Sequence, residues 1–313
     1  PYEVVSPHGT RVDPYYWLRD DTRTDPEVLA YLEAENRYAR AALAPVAPLE
    51  QTLRAEMTGR IAQRDQSAPV FEHGWWYLRR WEPEQQYEIL VRRKGSLDAP
   101  DEVILDGNER ARGHAFYSFS GTTVSPDGRY LAWAEDTVGR NQNELRVKDL
   151  VTGEVLPDTA INVSSSFAWA NDSQTLFYVG KDATTLRTRH VKRHVLGTPS
   201  SADVLVYDEV DDAYYTSVDA TKGRRYLAIT LWSTTSTEVR LVDADAPTAP
   251  ARVFLPREPH HEYALDHDGT RFVVHTNWEA RNFRLMEVAD GAGTADKQTW
   301  RDLVPHDPDV LID

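Results

Sequence analysis

Short all-apolar runs, each announced by a polar turn, recur along this chain. Tyr130-Leu131-Ala132-Trp133-Ala134 follows Ser125-Pro126-Asp127-Gly128. In that turn Ser can bond the backbone, Pro presets φ at the second position and Gly relieves the exit, which is the chemistry of a type I turn. The run behind it is too short for a helix and apolar at successive positions, so it predicts a strand buried on both faces. The same unit returns as Asn171-Asp172-Ser173 before Leu176-Phe177-Tyr178-Val179, as Lys222-Gly223 before Tyr226-Leu227-Ala228-Ile229, and as Asp268-Gly269 before Phe272-Val273-Val274. Each is followed by a second strand, in Glu144 to Val147, Thr188 to Val191, Glu238 to Leu241 and Asn282 to Leu285. A divergent first copy opens at Phe71 with Gly74-Trp75-Trp76-Tyr77 and runs on through Tyr87 to Val91. A period of about 45 to 50 residues, repeated about five times, suits the four-stranded blades of a β-propeller. Blades are expected near residues 71–106, 115–158, 164–208, 213–255 and 261–304.

The chain ahead of the blades has a different pattern. His8-Gly9 and the segment from Asp13 to Asp20 pack aromatics and acids together with little periodicity, an arm that needs a surface to lie against. Asp25-Pro26-Glu27 then predicts a helix start, with Asp as N-cap, Pro at the first helical position and Glu meeting the dipole. Val28, Leu29, Tyr31, Leu32 and Tyr38 supply an apolar stripe, which Pro45 and Pro48 interrupt. A second helix is expected from about Leu49 to Ile61, with Leu53, Met57 and Ile61 at spacings of four. Gln63 to Pro69 is polar and reads as a linker. Residues 1–69 are thus an N-terminal arm with two helices, and residues 70–313 a partial propeller.

Composition narrows the class. A chain of 313 residues that is 41% hydrophobic and 10% aromatic can bury a large core. No run approaches the about 18 apolar residues of a membrane span, and no charged-then-apolar leader opens the chain, so a cytoplasmic location is expected and no membrane partner. The absence of cysteine excludes disulfides, thiolate metal sites and a thiol nucleophile. A net charge of -15 argues against a nucleic-acid partner. It would favour encounter with cationic substrates, although such charge commonly serves solubility alone.

Several stretches together carry a family resemblance. The arm with Tyr16-Trp17-Leu18-Arg19-Asp20, the two helices, Gly74 to Tyr77, Ala168 to Ser173, Asp211 to Tyr215 and His261-Glu262-Tyr263 resemble, in one order, the oligopeptidase B branch of the prolyl oligopeptidase family of serine peptidases. That resemblance implies a mainly β fold in which a seven-bladed propeller, about five blades of it present here, precedes an α/β-hydrolase catalytic domain that this stretch lacks. It implies hydrolysis of short basic peptides after Arg or Lys by a Ser-His-Asp mechanism, with no cofactor. The propeller would act as a gate, its partners being the peptide and the hydrolase domain, in cis or as a separate chain. Residues 1–69 would belong structurally with that domain.

The residues agree that no catalytic group lies here. A nucleophile elbow needs Gly-x-Ser-x-Gly, and the nearest string, Tyr117-Ser118-Phe119-Ser120-Gly121, lacks the first glycine. Two places are candidates for contact with substrate or catalytic domain. In relatives the residue five before the tryptophan of the Ala-Trp motif reaches toward the bound peptide and is typically acidic; here that position is Ser164, followed by Ser165, so an anchoring carboxylate is missing. Glu135, Asp136 and Arg140 match the family's Glu-Asp-x-x-x-Arg and could form an interdomain gate of salt bridges, each worth about 0 to 1 kcal/mol when exposed. A purely local turn is the preferred reading of them. No metal site is expected: His260-His261-Glu262 lacks helical spacing, His190 and His194 fall on a strand and turn, and Asp211-Asp212 and Asp243-Asp245 read as solvated turns. The alternative reading, from another class, is a non-enzymatic propeller scaffold binding partners on its rim.

Overall fold

Asp25 begins the first helix as its neighbours dictate: its carboxylate accepts the Glu27 and Val28 N–H groups, and Pro26 sits where no donor is needed. In the computed structural model of the chain, which describes residues 1–291 and 295–313, this helix, α1, spans Pro26–Leu43. A 3-10 turn, Ala44–Val46, leads to α2, Ala47–Gly59. Pro48, expected to precede the second helix, is therefore inside it. It lies in the first turn, where a missing N–H costs nothing. The arm, expected to be irregular, forms a hairpin of Tyr2–Ser6 with Gly9–Asp13, and Tyr2 stacks on Tyr16 with ring centroids 3.7 Å apart. Asp20 organises the approach to α1, accepting the N–H groups of Asp25, Thr22 and Thr24 and the Thr22 hydroxyl. Those donors, Asp25 foremost, hold its carboxyl far below the usual range. The arm and helices form one unit, Pro1–Gln63, and the rest of the chain a second, Arg64–Asp313. Among the described residues no helix is long and apolar enough to cross a membrane.

The second unit is built of consecutive antiparallel sheets. Sheet 1 contains Val70–Glu72, Trp75–Trp81, Ile89–Lys94 and Glu102–Asp106. Asp65 and Gln66, read above as linker, pair with Trp81 and Arg80 and belong to it. Sheet 2 contains Ser118–Val124, Tyr130–Asp136 and Asn143–Asp149, with a short outer edge where Val155 bridges Lys148 and Leu156 donates to the Val147 carbonyl. Sheet 3 contains Ile161–Trp169, Thr175–Lys181, Thr188–Val195 and Val204–Asp208. Sheets 2 and 3 join into one seven-stranded ladder. The join is at Ile161–Trp169, whose first residues pair with Asn143 and Glu144 before a bulge carries the strand across to Gly180 and Tyr178. Sheet 4 contains Tyr215–Ala220, Tyr226–Trp232, Thr237–Asp243 and Arg252–Leu255. Sheet 5 contains Tyr263–His267, Arg271–Thr276, Arg284–Ala289 and Arg301–Val304.

The core lies in the seams between sheets. Leu90, Ile104 and Leu105 meet Leu131 and Trp133 across the first seam, and Ala132, Leu145 and Val147 meet Trp169, Leu176 and Tyr178 across the second. Phe177, Val179 and Val191 meet Val218, Leu227 and Ile229 across the third, and Leu241 and Phe254 meet Phe272, Val274 and Met286 across the fourth. The second strands of sheets 2 and 3 are therefore buried from both sides, as all seven residues of Tyr130–Asp136 and of Thr175–Lys181 are. That explains the unbroken apolar runs, since every full burial of such a side chain is worth about 1.5 to 3 kcal/mol.

Turns between the first two strands of sheets 2, 3 and 4 carry the seams onward. Within the first of them Gly128 donates to the Ser125 carbonyl at 2.8 Å, and Tyr130 N–H returns to Ser125 Oγ at 2.9 Å. Asp127 N–H reaches Ser173 Oγ in the next sheet at 3.1 Å, and Asn171 Nδ2 reaches the Arg224 carbonyl at 2.9 Å. Lys222 N–H bonds Asp266 Oδ1 at 2.9 Å. Glycine is required where these approaches are closest: a Cβ on Gly223 would collide with the backbone of Gly269.

Candidate functional site

Ser164 and Ser165 lie at the bulge of Ile161–Trp169, where the ladder to the second strand shifts between Val163 and Phe167. The extra residues push the chain toward sheet 2. There the Ser165 carbonyl packs against the bare Cα of Gly121, at φ +65°, where any Cβ would collide with it. Ser165 is exposed. Ser164, expected to face a substrate, is instead buried, and its Oγ accepts the Ser166 N–H at 3.1 Å. The expectation counted back five residues from Trp169, and the β-bulge between Val163 and Phe167 changes which face a position reached by such a count takes. Ser166 Oγ in turn donates to the Val218 carbonyl at 2.9 Å and accepts the Val218 N–H at 2.7 Å, so the bulge is tied to the first strand of sheet 4.

The expected salt-bridge gate of Glu135, Asp136 and Arg140 takes a different form. Glu135 is not an exposed loop residue: it is 3% exposed, inside Tyr130–Asp136. Arg110 donates to it through Nη2 at 2.7 Å and Nε at 3.2 Å, Arg146 Nε at 2.9 Å, Trp133 Nε1 at 3.1 Å and the Tyr117 hydroxyl at 3.2 Å. Arg110 follows the last strand of sheet 1, so this buried carboxylate joins sheets 1 and 2. Burial alone would raise its pKa, but hydrogen bonds from Arg110 and Trp133 outweigh burial and leave it below the ordinary glutamate range. Burial likewise pushes the Tyr117 hydroxyl far above the usual range.

Asp136 is also buried and acts as a turn anchor. Its Oδ1 accepts the N–H groups of Val138 and Gly139 at 2.8 and 2.9 Å, and its Oδ2 that of Asn141 at 2.8 Å. The Arg140 N–H helps as well, and these donors overcome burial to hold the carboxyl low. Arg140 is thus part of the turn that Asp136 closes, half-buried. Lys181 of sheet 3 reaches into the same turn, its Nζ donating to the Asn141 carbonyl at 2.6 Å and to Asn141 Oδ1 at 2.9 Å. The Glu-Asp-x-x-x-Arg string is a joint between three sheets.

A second charged joint was not legible in the sequence. Arg257, after the last strand of sheet 4, donates through Nη2 to Glu209 Oε2 at 2.6 Å and lies 3.4 Å from Glu238 Oε2 through Nε. Its guanidinium stands 3.9 Å from the centroid of the Tyr214 ring. The residues that attract notice in the sequence, Asp211 and Asp212, are the exposed fringe of this cluster. Glu209 and Glu238 are buried, and only their spacing from strand ends could have signalled it. A cleft of about 210 Å³ opens between sheets 1 and 2, lined by Leu90, Ile104 and Leu131 together with Glu72, Arg79 and Thr122. His190 and His194 both lie on Thr188–Val195 and each pairs with aspartate: His190 with Asp208, His194 with Asp158 and Asp203.

No catalytic constellation is assembled from these parts. Ser118 and Ser120 lie on the strand Ser118–Val124, not on the sharp strand-to-helix turn that exposes a nucleophile. The architecture and the turn-linked seams have a counterpart: residues 3–313 match the family model described as prolyl oligopeptidase, N-terminal beta-propeller domain. The chain belongs to the prolyl oligopeptidase family. Within that family it is 42% identical, over its full length and 45% of the relative, to dipeptidyl aminopeptidase BI of Pseudoxanthomonas mexicana. It is 30% identical, over 91% of the chain and 42% of the relative, to protease 2 of Moraxella lacunata. The solved structure of oligopeptidase B from Leishmania major superposes over 97% of this chain and 43% of that one, with a TM-score of 0.87 and 30% identity. Oligopeptidase B from Trypanosoma brucei, with covalently bound antipain in a closed form, gives a TM-score of 0.85 at 28% identity over 97% of this chain and 43% of that one. The chain spans less than half the length of these relatives, and what it supplies is the N-terminal propeller part of a prolyl oligopeptidase-family peptidase.

Proposed function

We propose that this propeller restricts access to a serine peptidase active site carried by an α/β-hydrolase domain, and that the whole protein hydrolyses short peptides after Arg or Lys. The observation that carries the reading is the match to the family's N-terminal propeller over residues 3–313, joined to structural likeness with two oligopeptidase B enzymes. The seams support the gating role: Glu135, Asp136 with Arg140, and Arg257 stiffen the joints between sheets, so a folded protein would not pass by prising the blades apart. Ser165, exposed at the bulge, is the candidate for contact with the peptide. Leu29, Leu32, Leu53 and Met57 are exposed on α1 and α2, which supports assigning residues 1–63 to the surface of the hydrolase domain.

A second reading has a specific observation behind it. The relative at 42% identity is named a dipeptidyl aminopeptidase, an activity that releases two residues at a time from a free amino terminus. Assays of the full-length protein decide between the two with chromogenic peptides ending in Arg, with the amino terminus blocked or free. Cleavage of the blocked peptide after Arg supports the endopeptidase reading; cleavage confined to free dipeptidyl substrates supports the other. The 313-residue chain alone is expected to cleave neither, and activity in it would overturn the division of roles. A full-length protein that degrades a folded substrate as fast as a short peptide would overturn the gate.

A further inference from the structure

Between the outer edge of sheet 2 and the body of sheet 3 lies a buried polar cluster that the proposed peptidase chemistry does not use. His194 presents Nδ1 to Asp203 Oδ1 at 2.7 Å and Nε2 to Asp158 Oδ1 at 3.1 Å. Side-chain exposure is 2% for His194, 4% for Asp158 and 1% for Asp203. The remaining oxygen of Asp203 accepts the Tyr178 hydroxyl at 2.7 Å, and Asp158 Oδ1 also accepts the Gly197 N–H. Three stretches converge here: the outer edge of sheet 2 at Asp158, the strands of sheet 3 at Tyr178 and His194, and the turn at Asp203.

A neutral imidazole has one N–H and one bare nitrogen, while a carboxylate has only lone pairs. With an aspartate at each side, a bare nitrogen would face oxygen lone pairs in a place closed to water, a costly arrangement. With hydrogen on both nitrogens, each contact becomes a charge-assisted hydrogen bond, and both ring nitrogens have an acceptor. We propose that His194 is an imidazolium clamped between Asp158 and Asp203, and that this clamp holds the outer edge of sheet 2 against sheet 3. The clamped edge continues without a break into Ile161–Trp169, so His194 positions the strand that carries Ser164 and Ser165. The inference stands on these contacts alone and does not depend on the peptidase reading.

Nitrogen NMR of the 313-residue chain with 15N-labelled histidine tests it at neutral pH, the His194 signals being assigned by their loss in His194→Gln. Two hydrogen-bearing ring nitrogens are expected; one bare nitrogen would overturn the proposal. In Asp158→Asn an amide can donate to Nε2, so that nitrogen is expected to lose its hydrogen while Nδ1 keeps its own toward Asp203. An Asp158→Asn spectrum identical to that of the unaltered chain would show that the Asp158 carboxylate does not set the state, and would also overturn the clamp. In a folded His194→Gln protein, hydrogen exchange at the Leu156 amide, bonded to the Val147 carbonyl, is expected to quicken at least tenfold while that of Leu145, bonded to the Ala160 carbonyl, follows it. Unchanged exchange at both would count against the mechanical role. Should His194→Gln not fold, the His194 signals are assigned instead by through-bond correlation from the His194 backbone amide, and the spectra of the unaltered chain and of Asp158→Asn still decide.

Discussion

The helices of the first unit and the sheets of the second bury apolar surface in opposite ways. In α1 and α2 only Val28 is buried, while Leu29, Leu32, Leu49, Leu53 and Met57 stand exposed. In the sheets Trp133, Trp169, Phe177, Phe254 and Phe272 are all below 2% exposure. A helix stripe is one-sided and needs a second layer, whereas a strand in the middle of a stacked sheet is covered by its neighbours on both faces. The second unit therefore closes its own core at each seam, and the first has apolar surface to spare. The difference locates stability in the seams and leaves α1 and α2 as surface available for docking.

The largest expected break in that contrast comes from emptying a seam. Trp133→Ala should lower stability by about 3 to 5 kcal/mol in urea unfolding, as a fully buried aromatic does, while Leu32→Ala should change it by less than about 0.5 kcal/mol. Comparable losses from the two would erase the distinction between the units. Glu135→Ala leaves Arg110, Arg146 and the Tyr117 hydroxyl without their shared acceptor and should cost about 3 kcal/mol. A loss within about 0.5 kcal/mol would mean that this joint behaves as an exposed ion pair after all. Gly121→Ala combines a left-handed φ with a collision against the Ser165 carbonyl and should cost about 1 to 3 kcal/mol, read from the same unfolding midpoints. A neutral result would show that the bulge of sheet 3 relaxes away from sheet 2.

The smallest effect is set by pH. His261 is buried and its pKa is lowered, first by burial and then by the nearby Lys297 charge, against the pull of Glu258. Its folded value lies below the unfolded value of about 6.5, so the unfolded chain binds more protons in between and stability rises with pH there. This contribution is fully present above the unfolded value and is lost as pH falls through the folded one. Unfolding midpoints taken between pH 7.5 and pH 5 should fall more in the unaltered chain than in His261→Gln; equal slopes would remove His261 from the account. Glu135 and Asp136, with depressed values, add the same sign of dependence lower in the acid range.

Local chemistry makes the repeat legible in the sequence alone. Ser125-Pro126-Asp127-Gly128 closes as a turn through its own Ser and Gly, and Asp25-Pro26 caps its helix, because each outcome depends on residues within a few positions. Where the reading missed, distant residues had decided. Ser164 turned inward because a bulge met Gly121, some forty residues upstream, and Glu135 was claimed by Arg110 from the preceding sheet. Arg257, Glu209 and Glu238 meet only once sheets 3 and 4 are stacked.

Taken alone, the order of residues determined the inner strands of the repeat, the start of the first helix, the spacing of the repeat and its family, since turn geometry and apolar periodicity are short-range properties. Tertiary structure decided which charges are buried and which serines see solvent. Burial and pairing depend on what the neighbouring sheet brings to the seam, and no local pattern encodes a partner that arrives from another blade.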